Sequence, residues 1–357
     1  MYSPTQLFLI HSGLFFTCLV FSLLINSLFL RFARTLGIRD NEELIRWSAT
    51  SKPAFGGIAF AIVFLGVFAM YGTLFPKHQD PLQPRLLGLL ASTGLGFLMG
   101  LADDAYNTRP YLKLSVQLAC GFILVLSGSV IQLTADPLMN TVLTVFWVVG
   151  LMNAINMLDN MDGITTIASM FILGCALVSQ AVMGHVADLL TVLITGVLAA
   201  LAGFLFFNWH PSRMFMGDTG SQFLGVFLAY VGIECFWNVT SPLGVAEPER
   251  RILLAILVFL LPIADTTSVT INRLLKGRSP FVGGRDHTTH HLSYAGLNDA
   301  QVALTFAGLG TLSLVLTFAA TRFINVWENL HTVLYVSYAA SVGLTLFIVT
   351  RRTRPNP

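Results

Sequence analysis

The stretch Asn153 to Gly163, N-A-I-N-M-L-D-N-M-D-G, sets two acids and three asparagines between two long apolar runs. Polar groups at the depth those runs imply are costly unless they are paired or used, so the stretch reads as functional. If it is helical, Asn156, Asp159 and Asp162 recur at a spacing of three. They would then project from one face and aim an amide and two carboxylates at a common ligand. Gly163 ends or loosens the turn. The competing reading is a solvated loop in which Asn and Asp side chains cap helix ends, and the choice between them rests on the rest of the chain.

The flanking apolar runs are typical of the whole sequence. Hydrophobic residues make up 55%, charged residues 11%, and the mean hydropathy is +0.73, whereas a soluble domain carries roughly 25% charged residues. The chain reads as an all-α polytopic integral membrane protein. A net charge of +2 without a basic stripe gives no argument for nucleic acid as a partner. Cys18, Cys120, Cys175 and Cys235 lie inside apolar runs without C-x-x-C spacing, and they read as packing residues rather than disulfides or zinc ligands.

About eleven transmembrane helices are expected. The first, near 7–30, is too long for a signal-peptide core and has no basic residue before it. The others fall near 54–75, 85–102, 111–134, 138–155, 164–184, 188–207, 219–239, 251–272, 301–321 and 330–350. The run 138–155 is the weakest, because Asn140 and Asn153 sit at its ends.

Eleven spans divide the basic residues fifteen to five between the two sides. The richer side holds the loops 31–53, 103–113, 153–163, 208–218 and 273–300 and the C-terminal tail, which makes it cytoplasmic and puts the N-terminus outside. The same parity gathers the unusual polar sequences. Asp103-Asp104, the 153–163 stretch, Gly217-Asp218 and His287, His290 and His291 all fall on that side. The expectation is one transmembrane catalytic domain, 1–357, with an active site assembled from those five loops. The segment 273–300 is long for a connection and is itself a candidate functional loop.

Asp103 and Asp104 follow G-F-L-M-G-L-A. Adjacent helical residues point about 100° apart, so the two cannot chelate one ion together; one faces the chemistry while the other holds a neighbouring Lys or Arg. Lys113 is a partner for them or a phosphate ligand. In F-N-W-H-P-S-R-M-F-M-G-D-T-G-S, Asp218 is a hard oxygen ligand of the kind that binds Mg²⁺ beside substrate phosphates. Phe215 either stacks a base or anchors at the membrane interface. In G-G-R-D-H-T-T-H-H-L, the spacing of the three histidines fits one helical face. Arg285 beside them suits an anion better than zinc, which points to a phosphate pocket. Asp265 either lines the cleft or satisfies helix backbone freed by Pro262. Glu234 reads as structural, and His185, His210 and His331 have no partner that the sequence can name.

Taken in order, S-K-P-A-F-G-G at 51–57, L-A-D-D with Lys113 downstream, N-A-I-N-M-L-D-N-M-D-G, the Asp218 motif, P-I-A-D-T and the histidine motif resemble the polyprenyl-phosphate N-acetylhexosamine-1-phosphate transferases. That group includes the initiators of O-antigen and teichoic-acid linkage synthesis and the phospho-MurNAc-pentapeptide translocases. The resemblance implies transfer of a sugar-1-phosphate from a UDP-N-acetylhexosamine to a polyprenyl phosphate in the cell inner membrane, with release of UMP. It implies Mg²⁺, with Mn²⁺ as the alternative ion. By motif position, Asp218 is the principal metal ligand with Asn156 beside it. Asp103 activates or positions the lipid phosphate, with Asp104 and Lys113 adjacent, and Asp159 belongs to the acidic cluster. Lys52, Asp162, Asn208 and Phe215 fall among the nucleotide and substrate contacts. Arg285, His287, His290 and His291 meet the diphosphate or sugar phosphate. The H-T-T-H-H run departs from the consecutive histidines of the peptidoglycan branch, which argues for a simple UDP-N-acetylhexosamine donor. Membrane lipid is the standing partner, and a homodimer is compatible with this reading.

The rival class is an ion- or proton-coupled transporter, since acids inside a membrane often mark ion paths. Against it, the acids gather on one face, and no inverted repeat is visible.

Overall fold

The computed structural model describes residues 2–32, 52–76, 80–241, 243–279 and 283–354. Most of the expected 31–53 loop therefore lies outside the described residues, as do Ser51 and Lys77. The described chain is all-helical. Its helices are α1 (Pro4–Phe32), α2 (Gly56–Leu74), α3 (Pro84–Tyr106), α4 (Pro110–Leu126), α5 (Pro137–Leu158), α6 (Ile164–Met183) and α7 (Leu189–Asn208). They continue with α8 (Gly217–Gly232), which runs on through a π-helical turn at Ile233–Trp237, then α9 (Pro248–Val258), α10 (Leu260–Leu275), α11 (Thr288–Tyr294), α12 (Asp299–Arg322) and α13 (Asn329–Arg352).

Local chemistry sets many of these starts. Pro84, Pro110, Pro137 and Pro248 each sit in the first turn of a helix, where a missing N–H leaves no bond unmade and the fixed φ already suits the helix. Asn298 and Gln301 close a reciprocal capping box at the head of α12.

Among the described residues, nine helices are long and apolar enough to cross a membrane, and a tenth span results if α9 and α10 are one broken crossing. The chain is thus a multi-pass membrane protein, with two corrections to the expected eleven spans. The run 111–134 yields only the 17-residue α4, which stops at Leu126; Gly128, at φ 92°, turns the chain away. The run 251–272 breaks at Phe259 with a bend of 77°. Pro262 lacks the N–H that would reach the Val258 carbonyl, and its ring crowds that carbonyl, so the helix gives way there. The weakest expected run is a full helix. Asn140 closes its N-terminal end by accepting from the Thr134 N–H at 3.0 Å and donating to the Thr134 carbonyl at 2.9 Å.

Helix α8 is the axis of the bundle. Of its most apolar window 94% is buried, against 17% for α1 and α13, which put Phe8, Leu24, Leu330 and Val333 on the outside. Phe223 and Phe227 of α8 pack edge-on against Phe64 of α2, and Trp147 of α5 donates to the Ala229 carbonyl at 3.1 Å. Helix α3 lies against the head of α8 at Gly100, where a Cβ would stand 2.2 Å from the Asp218 carbonyl oxygen. A small residue there lets two backbones meet. The consequence is positional: the C-terminal end of α3, with its two acids, is pressed onto Asp218.

Candidate active site

Four helix ends build the first cluster, those of α3, α4, α5 and α8. Lys113, in the first turn of α4, donates to Asp103 Oδ2 at 2.8 Å and to Asp218 Oδ2 at 3.1 Å. Asp103 is held further by the Thr108 N–H at 2.9 Å and the Thr108 hydroxyl. Asn156, on the last turn of α5, donates its amide to the other Asp218 oxygen and to Ser221 Oγ at 2.8 Å. One ammonium and one amide therefore converge on a single carboxylate from two helices.

Asp104 points elsewhere. Its Oδ1 accepts the Asp218 N–H at 2.9 Å, and its Oδ2 accepts the Thr219 N–H at 2.9 Å and the Thr219 hydroxyl at 2.6 Å. It caps α8 from another helix and satisfies N–H groups that the helix start leaves open. The adjacent pair thus divides its work, Asp103 holding a lysine and Asp104 a helix. The Met216-Gly217 corner that delivers Asp218 needs φ 76° at Gly217, which a side chain would strain.

The 153–163 stretch is helical only to Leu158; Asp159 caps it, and the chain turns through 160–163 before α6. The expected single face is therefore split. Asn156 serves Asp218, while Asp162 turns into a second cluster, where its oxygens accept the Ser212 N–H at 2.9 Å and the Ser212 hydroxyl at 2.7 Å. His210 Nδ1 lies 3.2 Å from Asp162 and 3.3 Å from Asp299. Lys52 donates to Ser212 Oγ at 3.0 Å, approaches Asp162 at 3.8 Å and sits over the Phe215 ring at 5.0 Å. Segment 52–57 is stitched to the same loop by the Phe215 N–H to the Pro53 carbonyl at 3.0 Å and the Gly57 N–H to the Met216 carbonyl at 3.1 Å. Asn208 is buried beneath. It accepts the Gly163 N–H at 3.1 Å and the Thr166 hydroxyl at 2.8 Å, and donates to the Met214 carbonyl at 3.1 Å. Its amide holds the floor of this cluster together.

Asp159 stands between the two clusters in sequence. Burial pushes its carboxyl up to about 7, with the Asp218 and Asp104 carboxylates adding to the effect.

The histidine segment forms a third cluster, and the three imidazoles diverge. Asp265, fully buried on α10, accepts His287 Nδ1 at 2.9 Å, the Thr288 N–H at 2.7 Å and the Thr288 hydroxyl at 2.6 Å. It is therefore bound to the start of α11, and neither of its two expected roles is what the geometry shows. His291 Nδ1 pairs with Thr353 Oγ1 at 2.7 Å, beyond the end of α13. His290 is left with its Nδ1 buried and without a hydrogen-bond partner, its ring 5.7 Å from that of His287. Burial, with His287 adding to it, holds His290 down at about 4, so near neutral pH it is an uncharged imidazole. Arg285 is exposed, and its carbonyl accepts the Tyr294 hydroxyl at 3.1 Å. Its neighbour Asp286 is gripped on both oxygens by Arg273, at 2.8 and 2.6 Å; burial alone would raise that carboxyl, but the guanidinium keeps it below the usual range. Thr289 donates to Asn160, which joins this segment to the 153–163 turn.

Sequence reading missed Ser212, His210 with Asp299, Thr108, Thr219 and the Asn160–Thr289 link. In the longest cases their partners lie 115, 129 and 160 residues away, and no local spacing announces such pairs.

Among the described residues, no three His, Cys, Asp or Glu side chains are gathered so as to hold a metal by themselves. Mg²⁺ does not require such a cage, since one or two carboxylates with substrate phosphates and waters complete its octahedron. Asp218, with Asp103 across Lys113 and Asn156 beside it, has the oxygen chemistry for that mode. Asn156 now presents its NH₂ to Asp218, and a turn of the amide would present its oxygen instead.

Comparison with known proteins bears on the same segments. A probable undecaprenyl-phosphate N-acetylglucosaminyl 1-phosphate transferase of Bacillus subtilis is 27% identical over 80% of this chain and 77% of its own length. The undecaprenyl-phosphate alpha-N-acetylglucosaminyl 1-phosphate transferase of Escherichia coli is 25% identical over 80% and 78%. A phospho-N-acetylmuramoyl-pentapeptide-transferase of Streptococcus thermophilus is 28% identical over a shorter share, 51% and 58%. Residues 86–236, which span the whole first cluster together with Asp162, Asn208 and Phe215, match the family model described as glycosyl transferase family 4.

Proposed function

We propose that this protein transfers an N-acetylhexosamine-1-phosphate from a UDP-sugar to a polyprenyl phosphate, giving a polyprenyl-diphosphate sugar and UMP. The reading rests on the Lys113 bridge between Asp103 and Asp218 at the meeting of the loops. A donor diphosphate and an acceptor phosphate are all anionic, and their reaction needs fixed cations and donors where charge builds up. The names of the relatives point to N-acetylglucosamine as the sugar and undecaprenyl phosphate as the lipid. Their longer coverage fits a simple UDP-hexosamine better than a MurNAc-pentapeptide donor.

In this reading an oxygen of the lipid phosphate attacks the sugar-bearing phosphorus of the donor. The bond from that phosphorus to the bridging oxygen breaks, and the oxygen leaves with UMP. Lys113 offsets the repulsion between the two substrates. Asp103 holds Lys113, and with both oxygens already engaged it positions the acceptor phosphate rather than attacking the donor. A phosphosugar adduct on Asp103 in the absence of lipid would overturn this direct route.

Asp218 and Asn156 hold Mg²⁺, which when bound supplies a Lewis acid for the donor diphosphate. Asp104 fixes the start of α8 and so the height of Asp218, and Asp159 completes the acidic wall. Lys52, Phe215 and Asp162 receive the nucleotide over the floor made by Asn208. Neutral His290 gives a hydrogen bond to the diphosphate, and Arg285 gives charge. His287 and His291 hold α11 in place for them. The site opens to the cytoplasm of the cell inner membrane, the N-terminus lies outside, and the product is the first lipid-linked intermediate of a cell-surface polysaccharide.

The test is to incubate membranes with labelled UDP-sugars, polyprenyl phosphate and Mg²⁺, comparing wild type with Asp218→Asn. Wild type forms lipid-linked label and releases UMP, and the folded variant does not. Unchanged turnover would remove Asp218 from the metal role. No turnover with any UDP-sugar would remove the reaction.

A further inference from the structure

One helical turn behind the first cluster, away from the loops, the same three helices carry a second set of polar side chains. Lys113 is followed four residues later on α4 by Gln117, and Asp218 four residues later on α8 by Gln222; Asn156 is preceded three residues earlier on α5 by Asn153. Residues three or four apart lie one above another on a helix, so each amide sits directly behind its active-site neighbour. The amides meet. Asn153 Nδ2 donates to Gln117 Oε1 at 2.8 Å, and Gln117 Nε2 donates to Gln222 Oε1 at 3.2 Å and to Asn153 Oδ1 at 3.4 Å. Asn153 is tied to its own helix by a bond to the Val149 carbonyl at 2.8 Å. Gln117 and Gln222 are 1% and 0% exposed.

Three amides at that depth are a poor way to gain stability, since each must be desolvated and imperfect pairing leaves a cost. The pairing here is imperfect, because Gln222 Nε2 has no partner. What such a set does supply is selection of one arrangement. Gln117 is the centre of the amide chain, bonded to Asn153 on one side and to Gln222 on the other. Rotating α4 by one residue, about 100°, breaks both links, and rotating α5 or α8 breaks one, which leaves amides unpaired in an apolar bundle. Buried polar residues set register between helices in the same way. The rotation that makes both links is also the one that brings Lys113, Asn156 and Asp218 together.

We propose that Gln117, Asn153 and Gln222 are positioning residues for the transfer reaction: they fix the relative rotation of α4, α5 and α8 and thereby hold the Lys113 ammonium and the Asn156 amide on Asp218. This rests on the transferase reading for its catalytic consequence but not for its structural one. The two can be tested apart.

The experiment uses the full-length protein in nanodiscs as wild type, Gln117→Met, Gln222→Met and the double variant. Methionine keeps the volume and removes the hydrogen bonds. The first readout is the rate at which a water-soluble amine-reactive ester acylates Lys113 in metal-free protein, followed by mass spectrometry. The second is kcat and KM for UDP-N-acetylglucosamine. Each single variant labels Lys113 several-fold faster. Its kcat falls roughly tenfold to a hundredfold, the scale of a misplacement of about 1 Å, while KM changes less than about twofold. The double variant is no worse than Gln117→Met, because losing Gln117 already removes both links.

Wild-type labelling in the variants overturns the proposal whether or not kcat falls. So does wild-type kcat alongside faster labelling. Should Gln222→Met fail to fold, Gln117→Met carries the test. Loss of folding in all three variants counts against it, because apolar replacement should leave packing intact. A wild type that releases no UMP sinks the transferase reading alone, and the labelling arm still decides whether the amide chain holds Lys113.

Discussion

At the residue scale, identical side chains take different work from their surroundings. Asp103 and Asp104 are neighbours, yet one grips a lysine and the other a helix start, because successive residues on α3 face different helices. The histidines show the same divergence, and His290 supplies a test. Folding lowers it to about 4, against about 6.5 for an unperturbed histidine. Between those values the unfolded chain holds more protons on His290 than the folded one, so this residue's contribution to stability is lost as pH falls from about 6.5 toward about 4. Unfolding temperature in detergent, measured across that window, should fall with acid in wild type, and the slope should flatten in His290→Gln. An identical slope in the variant would show that the residue is protonated freely in the folded state. The acids and histidines could be picked out from sequence as chemistry-bearing types. Which of them face substrate could not, because that depends on distant partners, as with Asp104 and Thr219, 115 residues apart.

At the element scale, α8 decides the site by where it begins and how closely α3 approaches it. Gly100 is the point of contact, with the Asp218 carbonyl 2.2 Å from where a Cβ would stand. Backbone cannot yield there as a flexible side chain could, so Gly100→Val must push α3 from α8 and pull Asp104 off its two N–H groups. Overpacking of this kind costs about 1–3 kcal/mol, and loss of the cap about 0.5–2 kcal/mol. The expected outcome is a clear drop in thermal stability together with loss of transfer activity, whereas Gly94→Val, on the same helix with open space around it, should change neither. Equal behaviour of the two variants would remove the close approach from the account. Helix starts were legible from the prolines at 84, 110, 137 and 248, since that residue fits the first turn by its own geometry. The break at Phe259 was only half legible. Pro262 announced a disturbance, but a bend of 77° follows from what the freed segment packs against.

At the scale of the whole molecule, contacts among the described residues join segments that lie far apart in the sequence. Lys113 ties 103–113 to the head of α8, Ser212 ties 208–218 to both 153–163 and Lys52, and Thr289 ties in the histidine segment. A cytoplasmic placement of these segments predicts that a reporter active only outside the membrane stays silent when fused after Arg354 and becomes active when fused before Tyr2. The reverse pattern would invert the orientation, although it would leave the cluster unchanged. The sequence by itself determined that the chain is helical and membrane-embedded, and which polar motifs interrupt its apolar runs. Those properties follow from apolar run length, the cost of polar groups among oily ones, and short motifs, all of them local. Only the tertiary structure decided which acid grips Lys113, which histidine keeps an open nitrogen, and that a chain of three amides stands behind the site. Each is a hydrogen bond between separate elements, and the rotation of one helix against another is fixed by packing that no single stretch of sequence contains.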